Sequence, residues 1–314
     1  MTRGWRATAC AAAMCVTVVA TTAAQDRFTP HDVARIRTVT AAAISPDGAH
    51  VAYVLMVPRV PFAEEDGAAW EELHVVGRDG TSRGFVTGAV NVSGIKWLPD
   101  GKSIAFLARR GSDQTRGIYA IPVSGGEARR LLRHDTDVVQ FDVSADGRRV
   151  AYVARPEKPR ERQELERRGF TQEVFEEAVQ PQRLWTADLR NGAAEGGPRA
   201  IDLPGHPSHV SWSPDGTRLL VIQAPTPFVD DDLVRRRVQV VEAGSGKITA
   251  TVENPGKLGQ VAWSPDGQSI ALVSGEDQHD PSEGRLMVVP ASGGALRDLL
   301  PGYDAHVRAL AWKD

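Results

Sequence analysis

Cysteine is almost missing from this 314-residue chain: Cys10 and Cys15 are the only two, and both fall within the first 24 residues. Beyond them there is no disulfide staple and no thiolate to act as nucleophile or metal ligand. Excess positive charge is also missing. There are 37 Lys and Arg against 40 Asp and Glu, a formal charge of −3, and no basic run is interleaved with aromatics, which argues against a nucleic-acid surface. Aromatics make up only 6% of the chain. The one long uncharged apolar run is Ala7 to Val19, so nothing in the body reads as a membrane span. The eight histidines, at 31, 50, 74, 134, 206, 209, 279 and 306, form no H-E-x-x-H motif and no pair at helical ligand spacing. No metal or other cofactor is therefore expected.

What is present begins with a leader. Arg3 and Arg6 make a short basic start, an Ala/Val/Met stretch follows, and Thr22-Ala23-Ala24 offers small residues for cleavage before Gln25. Residues 1–24 thus read as a secretory signal peptide and 25–314 as one exported domain, periplasmic or secreted. Loss of the two leader arginines moves the formal charge from −3 to −5.

The 30 Gly and 20 Pro are spread through the body, and many of them sit in a repeat. Trp212-Ser213-Pro214-Asp215-Gly216 recurs as Ile44 to Gly48, Trp97 to Gly101, Val143 to Gly147 and Trp263 to Gly267. Ser, Pro and Gly at the first, second and fourth positions suit a type I turn whose glycine takes a left-handed bulge position. Four residues after each Asp comes a branched aliphatic (Val51, Ile104, Val150, Leu219, Ile270), the start of an apolar strand. Further strands and Gly-rich turns follow, as at Ile118 to Ile121 before Ser124-Gly125-Gly126. The turn aspartates are 53, 46, 69 and 51 residues apart, the period of propeller blades. The expected fold is all-β: a β-propeller of four-stranded blades, five complete and a sixth beginning at Val307 to Trp312, where the chain reads as a fragment.

The spacing of 69 places a helical insertion in the third blade at about 155–182. Glu157 to Arg168 predicts a charged helix with Glu164 and Arg168 at i,i+4, ended by Gly169. Gln172 to Val179 predicts a second, amphipathic helix, with Val174, Phe175, Ala178 and Val179 on one face and Glu173, Glu176 and Glu177 on the other. Its acids either sit in water or face a cavity.

Other motifs read as structure. Gly80-Thr81-Ser82-Arg83-Gly84 matches G-x-S-x-G, but strand-like residues flank it on both sides, whereas a nucleophile elbow needs a following helix. Gly244-Ser245-Gly246-Lys247 reads as a hairpin turn and not a phosphate loop, since Val241 stands where the first glycine belongs. Asp230-Asp231-Asp232 reads as a solvated acidic loop, and His206 and His209 as residues of a Pro/Gly loop.

The repeat resembles that of TolB-like proteins and of prolyl oligopeptidase family serine peptidases. Three further stretches resemble bacterial dipeptidyl- and acylaminoacyl-peptidase-like members of the latter: Phe28 to Val39, Gly169 to Glu177, and Pro225 to Asp231. The resemblance implies a propeller that gates a C-terminal α/β-hydrolase domain in cis, which would carry the catalytic Ser, Asp and His. The implied substrates are short peptides. It also implies that Glu176 and Glu177 bind a substrate's free amino terminus, as paired glutamates do in dipeptidyl-peptidase-IV-like relatives. Two rivals remain. One is a non-catalytic TolB-like propeller that binds proteins, against which only about twenty residues separate Gln25 from the first repeat. The other is a stand-alone propeller enzyme such as a sugar lyase, which would need a histidine cluster for metal.

Overall fold

The computed structural model describes residues 28–313 except 173, 175, 178 and 280–283. The leader at 1–24 lies outside the described residues. Each repeat folds as a four-stranded antiparallel meander, and five such sheets are present. After a one-turn helix α1 (Pro30–Val33), blade 1 holds β1 (Thr38–Ile44), β2 (His50–Val57), β3 (Trp70–Gly77) and β4 (Ser82–Val86). Blade 2 holds β5 (Ser93–Trp97), β6 (Ser103–Ala108), β7 (Gly117–Pro122) and β8 (Arg129–Leu132). Blade 3 holds β9 (Val138–Val143), β10 (Arg149–Ala154), helix α2 (Arg160–Arg167), β11 (Arg183–Arg190) and β12 (Ala193–Ile201). Blade 4 holds β13 (His206–Trp212), β14 (Arg218–Ala224), helix α3 (Val229–Val234), β15 (Arg237–Glu242) and β16 (Ile248–Val252). Blade 5 holds β17 (Leu258–Trp263), β18 (Ser269–Ser274), β19 (Arg285–Pro290) and β20 (Arg297–Asp298).

The turn chemistry explains the repeat. Ser213 Oγ donates to Asp215 Oδ1 at 2.6 Å and accepts from the Arg218 amide at 2.9 Å, closing the β13–β14 hairpin with side chains. The same Ser–Asp bond forms at Ser45–Asp47, Ser144–Asp146 and Ser264–Asp266. The fourth-position glycine has φ near +65° in all five hairpins, from +63° at Gly101 to +68° at Gly147, a region that penalises a Cβ. This serine and aspartate are turn groups.

The core lies between blades. β6 is buried at every position because sheets cover both its faces, which is why it reads Ser-Ile-Ala-Phe-Leu-Ala and does not alternate with polar residues. Four clusters follow one another around the fan: Val54 and Leu73 against Phe106; Leu107 against Tyr152; Val153 against Val221; Leu220 and Val240 against Leu272. Fully burying one such side chain contributes roughly 1.5–3 kcal/mol. Blade 1 has a neighbour on one face, so β2 buries only Ala52 and Val54 while Val39 and Ile44 of β1 are 53% and 70% exposed.

Residues 307–313 sit against blade 5 as its successor would. Gln260 donates from Nε2 to the Leu310 carbonyl at 2.9 Å and accepts from its amide at 3.0 Å, repeating what Gln140 does with Val210. Trp312 Nε1 donates to the Ala262 carbonyl as Trp263 Nε1 does to Ser211, one blade earlier.

Candidate functional site

The meander gives the propeller two unlike ends. The Ser-x-Asp-Gly turns and the β3–β4-type turns lie at one, and the connections at 58–69, 109–116, 155–182, 225–236 and 275–284 lie at the other. Exposed large apolar side chains collect at this insert end. Val60 and Phe62 are in blade 1, Phe170, Val174 and Val179 in blade 3, and Val229 and Leu233 in blade 4. Phe62 is fully exposed with φ +64°, an outlier for a bulky residue. Its loop is braced by Arg59, which lies 4.0 Å over the Trp70 ring and donates to the Ala68 carbonyl.

Two insertions meet here. In blade 3, α2 ends in a paired cap: the Gly169 amide donates to the Glu166 carbonyl and the Phe170 amide to Leu165, with Gly169 at φ +91°. Its ion pairs are Arg162–Glu166 and Lys158–Glu166 at 3.1 and 3.0 Å and a longer Arg167–Glu164 at 3.9 Å, so Glu164 pairs at i,i+3, and Arg168, expected at i,i+4, lies over the Phe170 ring instead. The expected second helix over 172–179 does not form at the described positions. Gln172, Val174, Glu176, Glu177 and Val179 are all non-helical, and Glu176 has φ +59°. Eight residues that include β-branched valines nucleate a helix poorly, and Arg162 instead holds the Gln172 carbonyl at 2.6 Å.

In blade 4 the acidic triplet is the first turn of α3 and not a loop. Asp231 accepts from Thr226 Oγ1 at 2.6 Å and pairs with Arg235 at 3.2 Å. His206 and His209 likewise stand on β13 and are half-buried. His206 Nδ1 accepts the Gln182 amide at 3.0 Å, tying the end of the blade-3 insertion to the inner strand of blade 4. Burial lowers the His206 pKa, opposed by Asp232. His209 is pulled down to about 4, first by burial and then by the Lys96 charge.

Between the two insertions lies a pocket of about 660 Å³. The blade-4 insertion contributes Pro227, Phe228 and Val229 to its lining, and the blade-3 insertion contributes Val174, Val179, Pro156 and Pro159. Four carboxylates line it, Glu157, Glu166, Glu176 and Glu177, against two cations, Lys158 and Arg162. Both cations are engaged by Glu166. The Glu177 amide donates to the Val174 carbonyl at 3.2 Å. The Glu176 and Glu177 carboxylates are on exposed residues and make no hydrogen bond or ion pair among the described residues, so the pocket carries net negative charge on apolar walls. A larger cavity of about 800 Å³ at the turn end of blade 3 lacks this asymmetry: Arg190 pairs with Glu195 at 2.7 Å, and Arg149 is bound to the Gly216 carbonyl.

Ser82 opens β4 after a turn and shares a 2.7 Å hydrogen bond with the Tyr53 hydroxyl, so the G-x-S-x-G match is part of a hairpin. Among the described residues no three His, Cys, Asp or Glu side chains are grouped to hold a metal, and no helix is long and apolar enough to cross a membrane.

The residue pattern had marked Glu176 and Glu177 but not Phe228 as a wall, since nothing in the order of the chain links 174–179 to 227–229. Three solved structures share the architecture. TolB from Acinetobacter baumannii aligns with 81% of this chain and 53% of its own length (16% identity, TM-score 0.54). A TolB candidate from Agrobacterium tumefaciens aligns over 86% of this chain and 83% of that one (16% identity, TM-score 0.51). The acylaminoacyl peptidase of Pyrococcus horikoshii aligns over 90% of this chain and 42% of its own (16% identity, TM-score 0.58). The chain thus spans about half of the first protein and less of the third. At this identity the likeness shows a β-propeller and nothing finer. No family model matches the chain, and no curated protein matches it in sequence.

Proposed function

We propose that this chain is the substrate-gating propeller of an exported serine peptidase of the prolyl oligopeptidase type, acting on short peptides. The observation that carries the reading is the pocket where two insertions meet, with Glu176 and Glu177 uncompensated on apolar walls. The apolar side chains gathered at the same end suit a surface covered by another domain, here an α/β-hydrolase domain in cis. Covering that end leaves narrow access, through which an extended peptide passes and a folded protein does not. Glu176 and Glu177 receive the peptide's ammonium group, and residues 1–24 direct export ahead of the propeller at 25–314.

The test uses the natural full-length protein. A fluorophosphonate probe should label one serine outside residues 1–314, and the enzyme should cleave free dipeptidyl anilides in preference to N-acetylated ones. Changing Glu176 and Glu177 together to Gln should abolish that preference. An unchanged preference would remove the glutamates from the site. Absence of any labelled serine would favour the second reading, a non-catalytic protein-binding propeller, to which the two TolB-type structures lend support.

A further inference from the structure

The pocket walls carry information that the two glutamates do not. Carboxylates explain attraction of a cation, yet a site for an ammonium group alone needs no apolar enclosure. Here Phe228 and Val229, at the start of α3, line the same cavity as Val174 and Val179, and about 660 Å³ is far more than an ammonium group fills. Val174, Val179 and Val229 are each about half exposed, a cost in water that an apolar occupant would offset. Charge complementarity selects a cation, because the lining holds two more carboxylates than cations and both cations are already paired.

We infer that the occupant is a peptide whose first residue carries a large apolar side chain: its ammonium lies at Glu176 and Glu177 and its side chain lies against Phe228 and Val229. This rests on the reading of the two glutamates given above and adds the class of peptide selected. Phe228 and Val229 are then specificity-determining residues supplied by blade 4, while the charge is supplied by blade 3.

Calorimetric titration of the natural full-length protein, its probe-labelled serine changed to Ala so that no peptide is consumed, with three probes tests it. Phe-Ala-amide should bind about tenfold or more tightly than Gly-Ala-amide, the discrimination an apolar pocket supplies, and N-acetyl-Phe-Ala-amide should lose at least as much. Phe228→Ala should bring Phe-Ala-amide close to Gly-Ala-amide while both still bind better than the acetylated peptide. Val229→Asp, at an exposed position that leaves the core intact, should do the same if Phe228→Ala misfolds. Equal binding of the Phe and Gly peptides, with acetylation still harmful, overturns the side-chain inference and leaves the amino-terminus reading standing. Equal binding of free and acetylated Phe-Ala-amide overturns both, as does the absence of saturable binding.

Discussion

Arg149, the first residue of β10, places its guanidinium 4.6 Å over the Trp212 ring of the next blade and donates from Nη2 to the Gly216 carbonyl at 2.8 Å. Arg218 repeats the arrangement one blade on, 5.1 Å over Trp263 with a 2.8 Å bond to Gly267. The repeat tryptophan and the turn glycine are therefore receptors for the preceding blade. Arg149→Ala should destabilise the fold by about 1–3 kcal/mol, from the lost cation–π contact and charged hydrogen bond. Lys should restore only part, because it lacks the planar fork. Denaturant unfolding measures both, and an unchanged midpoint for Arg149→Ala would refute the role.

Asp142 joins three blades near the propeller axis. Its Oδ1 takes the Lys96 ammonium at 2.6 Å from blade 2, and its Oδ2 takes the Trp212 amide at 2.7 Å in blade 4. Asp142→Ala should cost about 2–4 kcal/mol, because a backbone amide and a cation lose a largely buried acceptor. Lys96→Ala should cost less, since Lys96 is 36% exposed. The ranking of the two variants in thermal unfolding checks the assignment.

His209 makes stability depend on pH in a defined window. Its pKa is about 4 in the fold against 6.5 for the ordinary side chain. Between these values the unfolded chain holds a proton that the folded chain does not, so stability is complete above 6.5 and declines as pH falls towards 4. His134 and His206 are lowered by burial and act in the same direction. His209→Asn should flatten the slope across this window, and an unaltered slope would show that the imidazole titrates freely.

The turn aspartates act lower on the scale. Asp47, Asp146, Asp215 and Asp266 are each held below the usual 3.8, first by their serine hydroxyl and then by a backbone amide two residues on. Their contribution is present above 3.8 and is lost as pH falls through the folded values. Ser213→Ala and Ser264→Ala together should shrink the acid-induced loss below pH 4 while lowering stability at neutral pH. If the acid limb stays the same, the hydroxyls are not what depresses these groups.

The order of residues alone determined the blade. Ser, Asp and Gly at fixed offsets close a hairpin through bonds no longer than five positions, and an apolar run of six residues after it demands a sheet on each face. Those are local constraints, and four repeats of them, with a fifth in which Leu98 stands for the serine, leave little choice but a propeller. Local pattern failed where local interactions are weak. The segment 172–179 has the amphipathic spacing of a helix, yet at its described positions the backbone is non-helical, with its entry fixed by Arg162 from α2. His206 and His209 looked like loop residues beside Pro and Gly, but pairing with β14 made them strand.

The pocket was decided by the tertiary structure. Glu177 and Phe228 are 51 positions apart, and only the stacking of blade 3 on blade 4 brings their insertions together. Whether an acid faces water or a cavity is set by what a neighbouring blade places opposite it, and no periodicity within one insertion contains that partner.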